Sequence, residues 1–177
     1  MMTPLRLGDR KVGPNRPTYI IAEAGINHNG SLQTAKELVD VAVEADADAV
    51  KFQKRNLEHT YVNDIVEDPS VAEMGVEYTV SNLKQISLRD DQFREVASYC
   101  DDAGIEFLCS PWDPESVNFL ETLEIPFYKI GSPDLTNFVL LEHVIETGKP
   151  ILISTGMSNR QEIQRTTSFL KDHDADF

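Results

Sequence analysis

The chain has 177 residues, 41% hydrophobic and 26% charged, enough for one domain with a sizeable core and too few for two full ones. Its formal net charge of −14 argues against nucleic acid and anionic membrane surfaces as partners. No apolar run approaches the ~18 residues of a membrane helix.

Residues 1–17, MMTPLRLGDRKVGPNRP, read as an N-terminal extension without the apolar core of a signal peptide, which points to a cytoplasmic protein. From residue 18 to 177 the pattern is strand then helix, five times over. The strand candidates are TYIIAEAG, DAVKFQ, IEFLCS, PFYKIGS and PILISTG, each running into polar or glycine-rich turns. Ser31 to Ala45 places Leu32, Ala35, Leu38, Val39 and Ala42 at helical spacing. SLRD at Ser87–Asp90 predicts a capping box opening a helix that runs to Ala103 and stops at Gly104. Asp113-Pro114 predicts another helix start, and Asn137 to Thr147 a helix ended by Gly148. Ser158 to Gln161 predicts a capping box for a last helix reaching Leu170. The long connection from Arg55 to Ile86 reads either as a cover over a site or as a surface excursion. Cys100 and Cys109 fall in apolar patterns and read as buried, reduced thiols.

Strand–helix alternation implies an α/β fold with a parallel sheet and right-handed crossovers. No G-x-G-x-x-G follows the first strand, which disfavours a doubly wound dinucleotide fold. The expected architecture is a (β/α)8 barrel, incomplete, with about five βα units present. Chemistry-bearing residues gather at strand ends, where such barrels act: Glu23, Lys51 with Gln53, Ser110, Lys129 with Ser132, and Ser154.

Lys51 sits between Val50 and Phe52, and Lys129 between Tyr128 and Ile130. Side chains alternate along a strand, so each lysine opposes its apolar neighbours. If those neighbours face the helices, both ammonium groups point inward, where an unpaired charge costs several kcal/mol. A lone strand lysine usually lies at an edge or snorkels; two at matching positions in successive repeats predict an anion between them. Glu23 could pair with one of them, and the three serines add hydroxyl donors suited to phosphate or carboxylate oxygens. His28 in GINHNGS reads as a loop anchor, and His59, His143 and His173 lack the spacing of a metal site.

Taken in order, IIAEAGINHNGSLQTAKELVDVAVEADADAVKFQK, LCSPWD, FYKIGSPDLTNFVLLE and GKPILISTGMS resemble the N-terminal part of the sialic acid synthase family, which makes N-acetylneuraminic, legionaminic and pseudaminic acids. The resemblance covers nearly all of Thr18 to Leu170. It implies a (β/α)8 barrel that condenses phosphoenolpyruvate with an open-chain N-acylated amino sugar. Carbon 3 of the enol attacks the aldehyde, water adds at carbon 2, and phosphate leaves. A divalent metal, manganese or magnesium, would polarise the aldehyde, with its histidine ligands on later strands than those present here. Lys51, Ser110, Lys129, Ser132 and Ser154 match the residues that hold phosphoenolpyruvate, Gln53 one that lies near the sugar, and Glu23 and Asp134 the acids at the reacting centre.

Departures stand out. Asp46 replaces a usual glycine, Asp134 stands where some members have Glu, and Pro133 replaces a frequent glycine. Five βα units against eight imply a fragment or half-enzyme, completed by a C-terminal half-barrel chain or acting within a homodimer. A Schiff-base aldolase using Lys129 or Lys51, and an inactive barrel-completing remnant, are the competing expectations.

Overall fold

The computed structural model describes residues 5–71 and 76–177. Within them lie seven strands and eight α-helices. Strands β1 (Leu5–Leu7) and β2 (Arg10–Val12) form an antiparallel hairpin. Then come β3 (Ile21–Gly25), α1 (Leu32–Glu44) and β4 (Ala49–Lys54). The long connection holds α2 (Leu57–Thr60), α3 (Asn63–Glu67) and α4 (Val76–Ile86). The remainder alternates: α5 (Asp90–Ala103), β5 (Glu106–Pro111), α6 (Pro114–Glu121), β6 (Tyr128–Ile130), α7 (Phe138–Glu146), β7 (Ile151–Ile153) and α8 (Arg160–Asp172).

Strands β3, β4 and β5 pair in parallel in that order, and β6 pairs in parallel with β7. Strand β6 lies beside β5, but no hydrogen-bonded ladder joins them among the described residues. The α/β alternation with parallel strands is as expected, while the described strands make two parallel ladders and a hairpin that do not close into a barrel.

Both faces of the strands are covered. Val50, Phe52, Phe107, Cys109, Tyr128 and Ile130 belong to the large core shared with the helices. Their alternate neighbours Ala49, Leu108 and Phe127 form a second cluster with Leu7 of the hairpin. Tyr19, Ile21 and Leu152 pack against it. The inner face therefore has an apolar floor closed by the hairpin, with polar side chains one step higher on each strand.

Two helix starts lie elsewhere than the sequence pattern suggests. Ser87 does not cap α5: its Oγ donates to Leu83 O at 2.6 Å, closing the preceding helix. Arg89 is the cap residue, its N–H donating to Gln92 Oε1 at 3.0 Å, while Asp90 pairs with Lys54 Nζ at 2.8 Å. For α8 the box is shifted by one residue: Asn159 Oδ1 accepts from the N–H of Glu162, and Glu162 Oε2 accepts from the N–H of Asn159. In both cases competing polar residues stand side by side; at α5 the long-range pairing of Asp90 with Lys54 takes the acid the box would use, and at α8 the local Asn159–Glu162 pair closes the box. Asp113 caps α6 as expected, and Ser31 and Asn137 cap α1 and α7.

Asp46 ends α1 in the left-handed conformation at φ +55°. The N–H of Ala47 reaches Ala42 O and that of Asp46 reaches Val43 O, the paired bonds of a Schellman turn. A side chain in this conformation costs roughly 1 kcal/mol that glycine avoids. Asp46→Gly should therefore raise stability by about 0.5–1 kcal/mol, read as a higher urea midpoint with unchanged slope.

Candidate active site

Glu23, Lys51, Lys129 and Ser154 line one cavity of about 290 Å³, with Ile21, Leu152 and Ile153 as its apolar wall. The two lysines face the same cavity, close enough for the Lys51 charge to act on Lys129. Glu23 lies opposite Lys51, Lys51 opposite Leu108, and Lys129 opposite Leu152. Each lysine stands one step above the floor cluster on its own strand.

Their electrostatic situations differ. Lys51 has a side chain only 5% exposed, and its Nζ contacts Glu23 Oε2 at 2.6 Å and Oε1 at 2.9 Å. It also donates to Ser110 Oγ at 3.2 Å. Lys129 is half-buried, and its ammonium makes no hydrogen bond or ion pair among the described residues. Burial pulls its pKa down from the ordinary lysine value, the Lys51 charge pulls it further, and Glu23 and Asp134 oppose both.

Other expected residues lie outside the cavity wall. Ser110 is buried and accepts from Lys51 Nζ. Ser132 opens the 3-10 turn Ser132–Asp134 after β6, facing the approach of Gly156. Asp134 Oδ1 accepts from Asn137 Nδ2 at 3.1 Å. Burial pushes the Asp134 carboxyl above the usual carboxylate range, against the pull of Asn137, Arg55 and Lys129. Gln53 accepts from Arg55 Nη2 at 2.8 Å.

His28 is buried, and its Nδ1 accepts from the N–H of Gly30 at 3.1 Å, so Nε2 carries the proton. Burial lowers its pKa, keeping it neutral. It anchors the β3–α1 turn against Phe52. Cys109 is inert, its thiol pushed up to about 12 by burial.

Two residues escaped the sequence pattern. Arg55 lies flat on Trp112, its Cζ 4.0 Å from the ring centroid. The alternation that pairs Lys51 with Gln53 extends to position 55 and was the available signal. Asp113, read only as a helix cap, is buried and accepts from Ser116 N, Ser116 Oγ and Asn56 N at 2.7–2.8 Å. It ties the start of the long connection to α6.

Among the described residues no group of three or more His, Cys, Asp and Glu side chains gathers as a metal site requires. These residues do not fit the divalent ion implied by the resemblance, and no step below is routed through one. No helix among them is long and apolar enough to cross a membrane.

The structure is of the parallel α/β class, in which small ligands bind in crevices at the carboxyl ends of the strands. More narrowly, the chain belongs to the NeuB family, whose model matches residues 38–176. It is 36% identical to human N-acetylneuraminate-9-phosphate synthase, over 95% of this chain and 47% of that one. It is 37% identical to N,N'-diacetyllegionaminic acid synthase of Legionella pneumophila, over 94% of this chain and 47% of that one. Its fold matches the crystal structure of N-acetylneuraminic acid synthetase from Leptospira borgpetersenii in complex with citrate. The TM-score is 0.82 at 29% identity, covering 98% of this chain and 56% of that one. The chain spans about half the length of the curated relatives it matches.

Lys129 is a charge that the fold disfavours, since its pKa in the folded state lies below the unfolded value. The penalty is full below the folded pKa, shrinks as pH rises, and vanishes above the unfolded value of about 10.4. Lys129→Met should therefore melt at a higher temperature than the parent at pH 7, with the difference closing by about pH 10.5. Calorimetric scans across that range check it.

Proposed function

We propose that this chain carries the phosphoenolpyruvate-binding half of a sialic-acid-type synthase. Its strands would be an arc of a (β/α)8 barrel spanning residues 18–177, in a cytoplasmic enzyme that forms a nonulosonic acid from phosphoenolpyruvate and an N-acylated amino sugar. The observation that carries this reading is the unpaired ammonium of Lys129 in the same 290 Å³ cavity as Lys51. Lys51 already has its counter-charge in Glu23, so an incoming anion neutralises Lys129 and relieves the repulsion between the two lysines. Phosphoenolpyruvate offers a carboxylate and a phosphate for these two points.

In this reading Lys51 and Lys129 hold the phosphate and carboxylate oxygens, and the hydroxyls of Ser132 and Ser154 add donors at the rim. Ser110 holds Lys51 by accepting from its ammonium. Carbon 3 of the enol attacks the sugar aldehyde, and charge develops on the aldehyde oxygen while water adds at carbon 2. In this reading Asp134, whose pKa burial raises, takes the proton that the attacking water releases and hands one to the aldehyde oxygen, and Glu23 orients Lys51. Phosphate departs toward the lysines that held it, where charge-assisted contacts stabilise its growing charge. The enzyme would be completed by a C-terminal half-barrel or act within a homodimer.

One observation favours a second reading: a lysine with a lowered pKa and no partner is the nucleophile a Schiff-base aldolase needs. Calorimetric titration and borohydride trapping separate the two. The synthase reading expects phosphoenolpyruvate to bind and Lys129→Ala to weaken it by roughly 100-fold. It also expects binding to fade with rising pH before the ordinary lysine range is reached, as Lys129 loses its proton. A pyruvate adduct trapped on Lys129 would replace it with the aldolase.

A further inference from the structure

His28 is 1% exposed, and the chemistry proposed above leaves it unused. Its Nδ1 accepts from the N–H of Gly30 at 3.1 Å, so the ring proton is on Nε2. That Nε2 is a buried donor that meets no acceptor among the described residues, an arrangement folded proteins seldom leave uncompensated. The ring lines a small cavity whose other polar walls are Gln53, Arg55 and Ser87, the rest being Ile26, Leu88 and Phe93. The cavity leaves about 10 Å³ for the centre of a water-sized molecule, the room that one water takes. Two acceptors face this space. Ser87 Oγ gives its proton to Leu83 O at 2.6 Å and so offers lone pairs only. Gln53 Oε1 accepts from Arg55 Nη2 at 2.8 Å and keeps a second lone pair. Close packing brings the walls together independently of these groups. A Cβ built on Gly30 would stand 2.8 Å from Gln85 O and 3.3 Å from Ile86 Cα, so the β3–α1 turn lies directly on the end of α4.

We propose that one buried water occupies this cavity, accepting from His28 Nε2 and donating to Ser87 Oγ and Gln53 Oε1. The mix of groups selects water over other small occupants. A metal cation would face the imidazole N–H, and a halide, which cannot donate, would face the oxygens of Ser87 and Gln53. Water answers both, with the three partners typical of a buried site. Through it His28 acts as a positioning residue for the return of the long connection, fixing Ser87 to the turn after β3 and to the end of β4. The connection is then held at both ends, by Asp113 where it leaves β4 and by this water where it enters α5.

The test is nuclear magnetic resonance of the full polypeptide labelled with nitrogen-15. The His28 ring should show the Nε2–H tautomer, with a ring proton that exchanges slowly and gives a nuclear Overhauser effect to a long-lived water. Ser87→Ala removes an acceptor on the far wall without touching His28, and should speed exchange of the His28 ring proton about tenfold. His28→Met removes the donor and should speed exchange of the Ser87 amide about tenfold, while the Val144 amide in the core of α7 stays within about twofold. Protection at Val144 shows that each variant is folded; where a variant does not fold, the water contact in the parent decides. A Nδ1–H tautomer, a ring proton that exchanges as fast as an exposed one, or the lack of a water contact in the parent would overturn the proposal. So would unchanged exchange of the ring proton in folded Ser87→Ala or of the Ser87 amide in folded His28→Met. Bromide located in the cavity of crystals soaked in a bromide salt would replace the water with an anion.

Discussion

The site depends on two like charges held in one small cleft with only one counter-charge in contact. Lys51 and Lys129 enter the same cavity, and Glu23 reaches only the first. A protein interior tolerates such an arrangement when something compensates it, because a desolvated ammonium without a partner lowers stability. Here the compensation is incomplete in the free protein, and the residual positive field favours an anion in the cleft. The apolar floor of Leu7, Ala49, Leu108 and Phe127 sharpens that field by excluding water from below.

That floor also explains how a charged layer can sit inside a sheet. On β4 the inner face reads Ala49, Lys51, Gln53, so one strand runs from apolar to cationic to neutral polar along its length. The outer face, Val50 and Phe52, is wholly buried against the helices. Stability and chemistry are thus divided between the two faces of the same strand, and the period-two geometry keeps them apart.

Much of this was legible in the sequence because strand alternation is rigid. Lysines flanked on both sides by apolar residues can have only one inward face, and the repeat placed both at equivalent depth. Of the acids and serines expected at strand ends, Glu23 and Ser154 line the cavity and Ser110 contacts Lys51. What escaped had other causes. The hairpin of Leu5–Leu7 and Arg10–Val12 has three-residue strands rich in arginine and lysine, too short for a periodicity to show. The helix starts at Ser87 and Ser158 shifted because several residues in a row could serve as cap, with the long-range partner Lys54 taking Asp90 at the first. Ladder closure between β5 and β6 is a matter of backbone geometry that side-chain patterns do not encode. Arg55 was overlooked because it follows the last apolar residue of its strand, although it keeps the same facing as Lys51 and Gln53.

Asp113 has a consequence of its own. One buried carboxylate accepts from the backbone of Asn56, at the root of the long connection, and from the backbone and hydroxyl of Ser116, in the first turn of α6. Two segments far apart in the chain therefore share a single fastener. Their local opening is coupled: the amide protons of Asn56 and Ser116 become accessible to solvent exchange in the same event, so the root of the connection and the first turn of α6 breathe as one unit.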